Sequence, residues 1–341
     1  MKLFSITALI ALLALMAPAA SARVVVKTVE NGEEKSYPGD KVVKMTPTEV
    51  TVKQGALLHT IPVNKISDIR FSGENSRMLM VREFAASGRY ENAVERLLKI
   101  KPNGFSDYVS QDVEFYRAYC RGQMALGGTI KPAEAVKELE SFVTNHPNNY
   151  HVLKCSELLG RLEVALGNYD KAEKHYLVLV NTDWPDYKIQ AYTAVGESAV
   201  TQENFDKAKL MFDRALKVEA DDEISKRNQN VARIGVGRCL AESGDVAGGI
   251  ATINKVIKDV GPEARRLLPR AYVALGYCYK KDGKLQEAVL QFLMVDLVYN
   301  AHRASHAEAL KNLVGLWQSI NKIENSRKAK ARLKQLYPGV G

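Results

Sequence analysis

One spacing of small and aromatic residues recurs along most of this chain, and it constrains the fold more than any other feature. The clearest copy consists of Leu159-Gly160, Gly167, Tyr169, Ala172 and Tyr176. Two further copies are Val195-Gly196, Glu203, Phe205, Ala208, Phe212 and Leu275-Gly276, Gly283, Leu285, Ala288, Phe292. With weaker copies included, the alanine position recurs every 36 to 42 residues, at 93, 135, 172, 208, 249, 288 and 326. This period predicts stacked two-helix units, since each unit buries its apolar face only against its neighbours.

Each position of the spacing has a physical role in a helical hairpin. The small residue of the first pair lets two helices approach closely, because interhelical distance depends on the side chains at the contact. The glycine seven residues later ends the first helix, since glycine readily adopts the left-handed conformation after a helix C-terminus. The aromatic residue docks into the hairpin, and the alanine is a second point of close contact. With 46% hydrophobic and 26% charged residues, the chain is not disordered throughout.

These residues resemble the tetratricopeptide repeat family, over about 265 residues and roughly seven repeats. The resemblance implies a mainly α fold, in which residues 74–341 form a right-handed solenoid of about seven hairpins with a concave groove lined by the first helices. It also implies a non-catalytic protein that binds peptides or protein segments. Four anchor positions depart from the pattern: Val81 and Cys120 replace the glycine, and Gly249 and Ser326 replace the alanine.

In the family, the residue that follows the small position faces the groove, and here it is most often arginine. These positions hold Arg82, Arg121, Arg161, Glu197, Arg238 and Tyr277, and Lys280 and Lys281 extend the same basic surface. A ladder of guanidinium groups offers planar, bidentate donors to carboxylates or phosphates. We therefore expect an acidic segment, a free C-terminal carboxylate or an anionic polymer as the partner. The alternative is that arginine, a good helix former, only solvates an exposed helix face.

The first 22 residues have the features of a secretory signal peptide. Met1-Lys2 supplies positive charge, Leu3 to Met16 is almost entirely apolar, and Ala20-Ser21-Ala22 is a small-residue cleavage site. The apolar run is shorter than the roughly 20 residues needed to span a bilayer, which argues against a retained anchor. We expect residues 1–22 to be removed and the mature chain to be periplasmic or secreted.

Residues 23–73 alternate short β-branched runs with turn sequences, which predicts a small β-rich module. Asn31-Gly32 favours a hairpin, because both residues tolerate positive φ. Many short strands in about fifty residues are similar to a small antiparallel SH3-like or Sm-like barrel, and we expect a docking or capping role. The five expected strands are Val24–Val26, Lys41–Met45, Glu49–Lys53, Leu57–Val63 and Ile66–Phe71.

The motifs of common enzyme classes are missing from the sequence. It contains no Walker phosphate loop, no dinucleotide-binding glycine motif, no nucleophile elbow and no zinc-protease motif. His302 and His306 are four residues apart but lack an obvious third metal ligand. The cysteines, at 120, 155, 239 and 278, lack metal-site spacing and are expected to be buried thiols. We therefore expect no enzyme activity, no metal and no cofactor.

The chain is basic, with a formal net charge of +9 and a pI near 9.2. Part of this charge lies in the last expected helix, around Arg327–Lys334, where a polar outer face would cap the array. Nucleic acid is not an expected partner, because an exported protein does not meet it. The sequence favours an interaction scaffold that holds a peptide or protein segment in its groove. The alternative is a structural component of a cell-envelope complex or a binder of an anionic wall polymer.

Overall fold

The chain is described by a computed structural model over residues 24–30, 32–101 and 105–337. These residues form two compact units, one built mainly from strands and the other mainly from helices. The expected signal peptide, residues 1–22, lies outside the described residues, as does Asn31 of the expected hairpin turn.

The strand unit contains two three-stranded antiparallel sheets, with strand orders β2-β1-β6 and β3-β4-β5. In β1, burial alternates along the strand, as one core-facing side requires. Val24, Val26, Val50, Val52 and Ile69 are all almost completely buried and form the centre of this unit. The strands are β1 (Val24–Glu30), β2 (Glu33–Gly39), β3 (Lys41–Met45), β4 (Glu49–Gln54), β5 (Leu57–Pro62) and β6 (Ile66–Phe71).

Strand β2 was not predicted from the sequence. Its residues, EEKSYPG, show no apolar alternation, and most of its side chains are exposed. It pairs antiparallel with β1, Val24 opposite Gly39 and Glu30 opposite Glu33, so backbone pairing rather than apolar burial defines it. Gly32, in the turn between β1 and β2, has a φ of 84°, the left-handed conformation that a tight hairpin turn needs.

The described part of the chain contains fourteen α-helices, which pair in chain order as seven hairpins. The predicted mainly helical array of about seven hairpins is therefore confirmed. The helices are α1 (Arg77–Ala86), α2 (Tyr90–Leu98), α3 (Asp107–Leu126), α4 (Pro132–Asn145), α5 (Val152–Ala165), α6 (Tyr169–Val180), α7 (Pro185–Thr201), α8 (Phe205–Lys217), α9 (Glu223–Glu242), α10 (Val246–Val260), α11 (Leu268–Lys281), α12 (Leu285–Leu297), α13 (Arg303–Ser319) and α14 (Ile323–Leu336).

A residue in the left-handed conformation lies between the two helices of each hairpin. Gly88, Gly167, Gly244 and Gly283 adopt it at the positions that the spacing predicts. In the second hairpin Gly128 adopts it rather than the predicted Gly127, which has a φ of −80° and caps α3. In the fourth and seventh hairpins the conformation falls on non-glycine residues, Glu203 and Asn321.

The predicted close contacts within the hairpins involve the small position and an aromatic ring. An added Cβ at Gly160 would lie 2.5 Å from the ring of Tyr176, and one at Gly196 would lie 2.6 Å from the ring of Phe212. Gly276 has the same relation to a phenylalanine of α12. Any larger side chain would force the two helices apart, which explains why a small residue recurs there. The anchor alanines at 93, 135, 172, 208 and 288 are fully buried.

The four cysteines are free and buried, as predicted. Burial raises the pKa of each thiol, to about 12 for Cys120 and about 11 for Cys239. A thiol in this state packs as a small apolar side chain and is a poor nucleophile.

Candidate partner-binding groove

The helical unit contains a groove with a volume of about 1200 Å³. Its lining comes mainly from α3, α5, α7, α9, α11 and α13, the first helices of successive hairpins. This arrangement follows from stacking, because the first helices lie side by side and turn one face of each hairpin to the same side.

The lining of the groove is rich in arginine. Six arginines face three glutamates there, so the surface carries excess positive charge over a concave region. Concave surfaces lined by one sign of charge concentrate the field and favour ligands of opposite sign. The arginines are Arg161, Arg227, Arg238, Arg265, Arg266 and Arg270, and the glutamates are Glu157, Glu197 and Glu308.

Two of the six arginines are held by neighbours. Arg270 donates to the carboxylate of Glu197. Arg238 lies over the ring of Tyr277, with 3.7 Å between the guanidinium carbon and the ring centroid, and 3.7 Å separates its Nη1 from Oε1 of Glu308. The other four, at positions 161, 227, 265 and 266, make no ion pair with any residue in the described parts of the chain. Four guanidinium groups are therefore available for a ligand.

His302 lies in the same lining, and its pKa reflects the positive charge of the groove. Burial and, to a smaller extent, the positive charges of Arg270, Arg161 and Arg266 together lower its pKa to about 4. The imidazole is therefore neutral near pH 7, and its Nδ1 accepts a hydrogen bond from the backbone N–H of Ser305 at the start of α13. Three arginines from different parts of the array thus act on a single side chain.

The lining also contains aromatic side chains. Tyr90 and Tyr119 meet edge to face, with 6.4 Å between ring centroids, and Tyr176 lines the same groove. Burial raises the pKa of Tyr119 well above its ordinary value. The groove therefore offers both apolar ring surface and cationic groups, a combination suited to a peptide with mixed side chains.

Comparison with known proteins decides the nature of the array. The tetratricopeptide repeat family matches residues 269–293. A tetratricopeptide repeat protein from Parabacteroides merdae has a similar structure: the TM-score is 0.53 at 16% identity, and the match covers 77% of this chain and 97% of that one. The helical unit is a tetratricopeptide-like array. A Rap protein complexed with competence and sporulation factor also resembles the chain, with a TM-score of 0.54, 13% identity and coverage of 76% and 75%. No curated protein matches the sequence.

The tetratricopeptide-like array places some of the predicted partner-binding residues in its groove and others elsewhere. Arg161, Glu197 and Arg238 line the groove, and Tyr277, which is not among the lining residues, contacts the guanidinium of Arg238 with its ring. The remaining predicted residues are not among the described residues that line it. These are Arg82, Arg121, Lys280 and Lys281.

Arg82 departs most from its predicted role. It is 7% exposed, and its guanidinium donates to both carboxylate oxygens of Glu74 at 2.9 Å and to Asp112 at 2.7 Å. Arg121 is held by Glu138, with its Nε 2.8 Å from Oε1. A guanidinium already bound by carboxylates of its own chain is not offered to a partner, so the ladder is interrupted at its first two positions.

The lysines that were predicted to extend the ladder also lie apart from the groove lining. Lys281 forms an ion pair with Glu242, with 3.4 Å between Nζ and Oε2. Lys280 is exposed in the last turn of α11, where a cation interacts favourably with the helix dipole.

Sequence reasoning missed four groove arginines, at positions 227, 265, 266 and 270. They lie in the first turns of α9 and α11 or in the connection before α11, rather than at the family's groove position. The run Glu263-Ala264-Arg265-Arg266, followed by Arg270, was a visible signal, because it places three arginines at the entry to one first helix. Residues at the start of a first helix therefore line the groove, as do residues on its face.

One group of described residues could hold a metal ion. Glu140 of α4, Glu163 of α5 and His175 of α6 each place a ligand atom within 4.8 Å of the others. Glu163 already accepts a hydrogen bond of 2.7 Å from Asn168, and its carboxylate lies 3.9 Å from Nζ of Lys171. Both oxygens of the Glu163 carboxylate therefore already have a partner within this chain. The three residues come from different helices, so no local spacing marked them.

His302 and His306, the pair weighed as metal ligands, have separate structural roles. His302 caps α13, whereas His306 is buried between Asp296 and the hydroxyl of Tyr337, with 2.8 Å to each. No helix in the described part of the chain combines the length and the apolar composition needed to cross a bilayer.

Proposed function

We propose that the protein is a non-catalytic interaction scaffold that binds an acidic protein or peptide segment in its groove. The observation that carries the proposal is the excess of arginine in the lining, including four guanidinium groups without an ion pair to any described residue. Charge-assisted hydrogen bonds to carboxylates are the strongest contacts such groups can make. A Rap protein of similar fold forms a complex with competence and sporulation factor, which supports a binding role.

The mature chain acts after export in this proposal. The charge, apolar run and cleavage site of residues 1–22 support removal of that segment, which leaves Arg23 as the first residue. Residues 23–73 and 74–341 then form the two working parts, a β module for docking or capping and the array with the binding groove.

Peptide binding measured by fluorescence anisotropy tests the proposed function. The probe is a labelled peptide of about twelve residues rich in aspartate and glutamate, long enough to lie extended through several repeats. The matched peptide carries asparagine and glutamine at the same positions. We expect the acidic peptide to bind at least about tenfold more tightly, and its advantage to shrink between low and high salt as screening increases.

Charge reversal in the groove gives the second arm. The double variant Arg161→Glu/Arg266→Glu should lose at least about tenfold in affinity, because each change replaces attraction with repulsion. The matched control is Arg214→Glu, an exposed arginine on α8 that does not line the groove, and it should bind as the wild type does. Equal binding of the acidic and amide peptides, or full affinity in the double variant, contradicts the proposal.

A further inference from the structure

Three arginines of the groove come from separate elements, line the same cavity as His302 and act on its charge. Arg161 belongs to α5, Arg266 to the connection before α11, and Arg270 to the first turns of α11, and all three line the groove beside His302. Arg161 and Arg266 have no ion pair with any described residue, whereas Arg270 is paired with Glu197. Two of the three guanidinium groups therefore have no described carboxylate at ion-pair distance. We name Arg161, Arg266, Arg270 and His302 the arginine subsite.

The start of α13 adds to the arginine subsite. Ala301, Ala304 and Ser305 line the groove next to His302, so the first turn of this 17-residue helix faces the same space. Backbone N–H groups in a first helical turn have no partner within the helix and attract anions. The neutral imidazole of His302 adds no charge that would repel the arginines, and its Nε2–H is a further donor when Nδ1 accepts from Ser305.

The number of donors and the charge point to one kind of oxyanion. A carboxylate has two oxygens and a single charge, which one arginine satisfies in bidentate geometry. A phosphomonoester has three terminal oxygens and a charge of about −1.5 to −2 near pH 7, which matches several guanidinium forks, two of them without an ion pair to any described residue.

We infer that the arginine subsite binds a phosphomonoester dianion, which anchors the segment that the proposed function places in the groove. The inference rests on the proposed function for its location, and it adds the chemistry of the anchoring group. Arg227 and Arg265 remain outside the arginine subsite and contribute to the general attraction for acidic ligands.

Nuclear magnetic resonance on the full mature chain tests the arginine subsite with inorganic phosphate as the probe. The His302 ring signals, assigned with the variant His302→Asn, should shift on titration with phosphate. They should not shift with acetate at equal ionic strength. Asparagine retains an N-cap acceptor, so the variant should keep its fold. His59 of β5 is the internal reference and should shift with neither ion. Equal shifts of His302 with acetate and phosphate, or no shift with either, overturn the inference.

Labelled peptides distinguish the source of the phosphoryl group. We compare the affinities of a phosphoserine peptide, its glutamate analogue and its serine analogue by anisotropy. Each measurement is repeated with inorganic phosphate as the competitor. Tighter binding of the phosphoserine peptide than of inorganic phosphate assigns the group to the partner segment, whereas the reverse assigns it to free phosphate. Equal affinity for the phosphoserine and glutamate peptides overturns the inference and leaves the proposed function standing. Failure of the unphosphorylated acidic peptide to bind removes the proposed function instead.

Substitutions locate the binding. The double variant Arg161→Gln/Arg266→Gln changes two exposed side chains, so folding should be retained. We expect it to lose at least about tenfold in phosphoserine-peptide affinity, while the affinity for the glutamate analogue falls less. Arg214→Gln is the matched control and should change neither. If the double variant still prefers the phosphoserine peptide by the wild-type factor, the arginine subsite is not where the phosphoryl group binds.

Discussion

At the scale of single residues, Glu203 is the position where the chain departs from its own repeat. Glycine adopts the left-handed turn after the first helix in most hairpins, but Glu203 does so with a φ of 56°. Its side chain is exposed and makes no ion pair with any described residue, so nothing visible offsets the strain. A non-glycine residue in this conformation costs roughly 1–2 kcal/mol. Replacing it with glycine recovers only part of this energy, because glycine has more conformational freedom in the unfolded chain.

Glu203→Gly should therefore raise the free energy of unfolding by about 1 kcal/mol. Urea unfolding followed by circular dichroism measures the change. Gly167→Ala is the matched reverse substitution at the equivalent turn, where φ is 77°, and should lower stability by about the same amount. A destabilised Glu203→Gly variant would show that the glutamate makes a contact that outweighs its strain.

Gly249 shows the opposite case, in which a departure from the repeat is required. An added Cβ there would lie 2.4 Å from the carbonyl oxygen of Gly237 and 3.0 Å from the Cβ of Ala241. The obstructing atoms belong largely to the backbone of α9, so they cannot move aside without separating α9 from α10.

Gly249→Ala should thus destabilise the protein by about 2 kcal/mol, although alanine is the residue that other repeats carry at this position. The matched control is Gly315→Ala in α13, where an added Cβ meets nothing within 4 Å. It should stabilise by about 0.5–1 kcal/mol, since alanine is the better helix former. Thermal melts of the two variants should move in opposite directions, and a shift in the same direction contradicts the close-contact argument.

At the scale of elements, the sequence predicts features that depend on residue spacing within one hairpin. It does not predict features that depend on contacts with other elements. The spacing predicts the turn at Gly167 and the buried Ala172 because both follow from the 3.6-residue period of one hairpin. It does not predict that Arg82 is buried, since Glu74 and Asp112 reach it from outside α1. Strand β2 was missed for a related reason, because its polar residues are ordered by pairing with β1.

Asp112 links three elements around Arg82. Its carboxylate is 1% exposed and accepts from Arg82 of α1, while Tyr150 and His151 approach it from the α4–α5 connection at 3.3 and 3.4 Å. A buried ion pair adds little net stability when intact, but removing one charge leaves the other without compensation.

Asp112→Asn should lower the free energy of unfolding by about 3 kcal/mol, because it removes a charged acceptor 2.7 Å from the guanidinium of Arg82, which stays buried. The comparison is Glu138→Gln, which breaks the more exposed pair with Arg121 and should cost at most about 1 kcal/mol. Urea denaturation of both variants gives the two values. Similar losses in the two variants would mean that burial does not distinguish these pairs.

At the scale of the whole molecule, His151 makes folding depend on pH. It is buried and stacked on Phe115, with 3.4 Å between ring centroids and 8° between ring planes. Burial lowers its pKa to about 4, against a partial opposing effect of the Asp112 carboxylate. In the unfolded chain the same group has a pKa near 6.5. Between about pH 4 and 6.5, the unfolded chain therefore binds a proton that the folded array does not.

The sign follows from this difference in proton binding. The contribution of His151 to the free energy of unfolding is fully present above about pH 6.5. It is lost as the pH falls towards 4, at about 1.4 kcal/mol per pH unit. Lowering the pH from 7.5 to 5.0 should cost the wild type about 2 kcal/mol more than it costs the variant His151→Gln, which does not titrate there. Urea unfolding at the two pH values measures both losses. Equal losses in wild type and variant would show that His151 is protonated in the folded array, and that the stacked ring at the α3–α5 contact carries a charge.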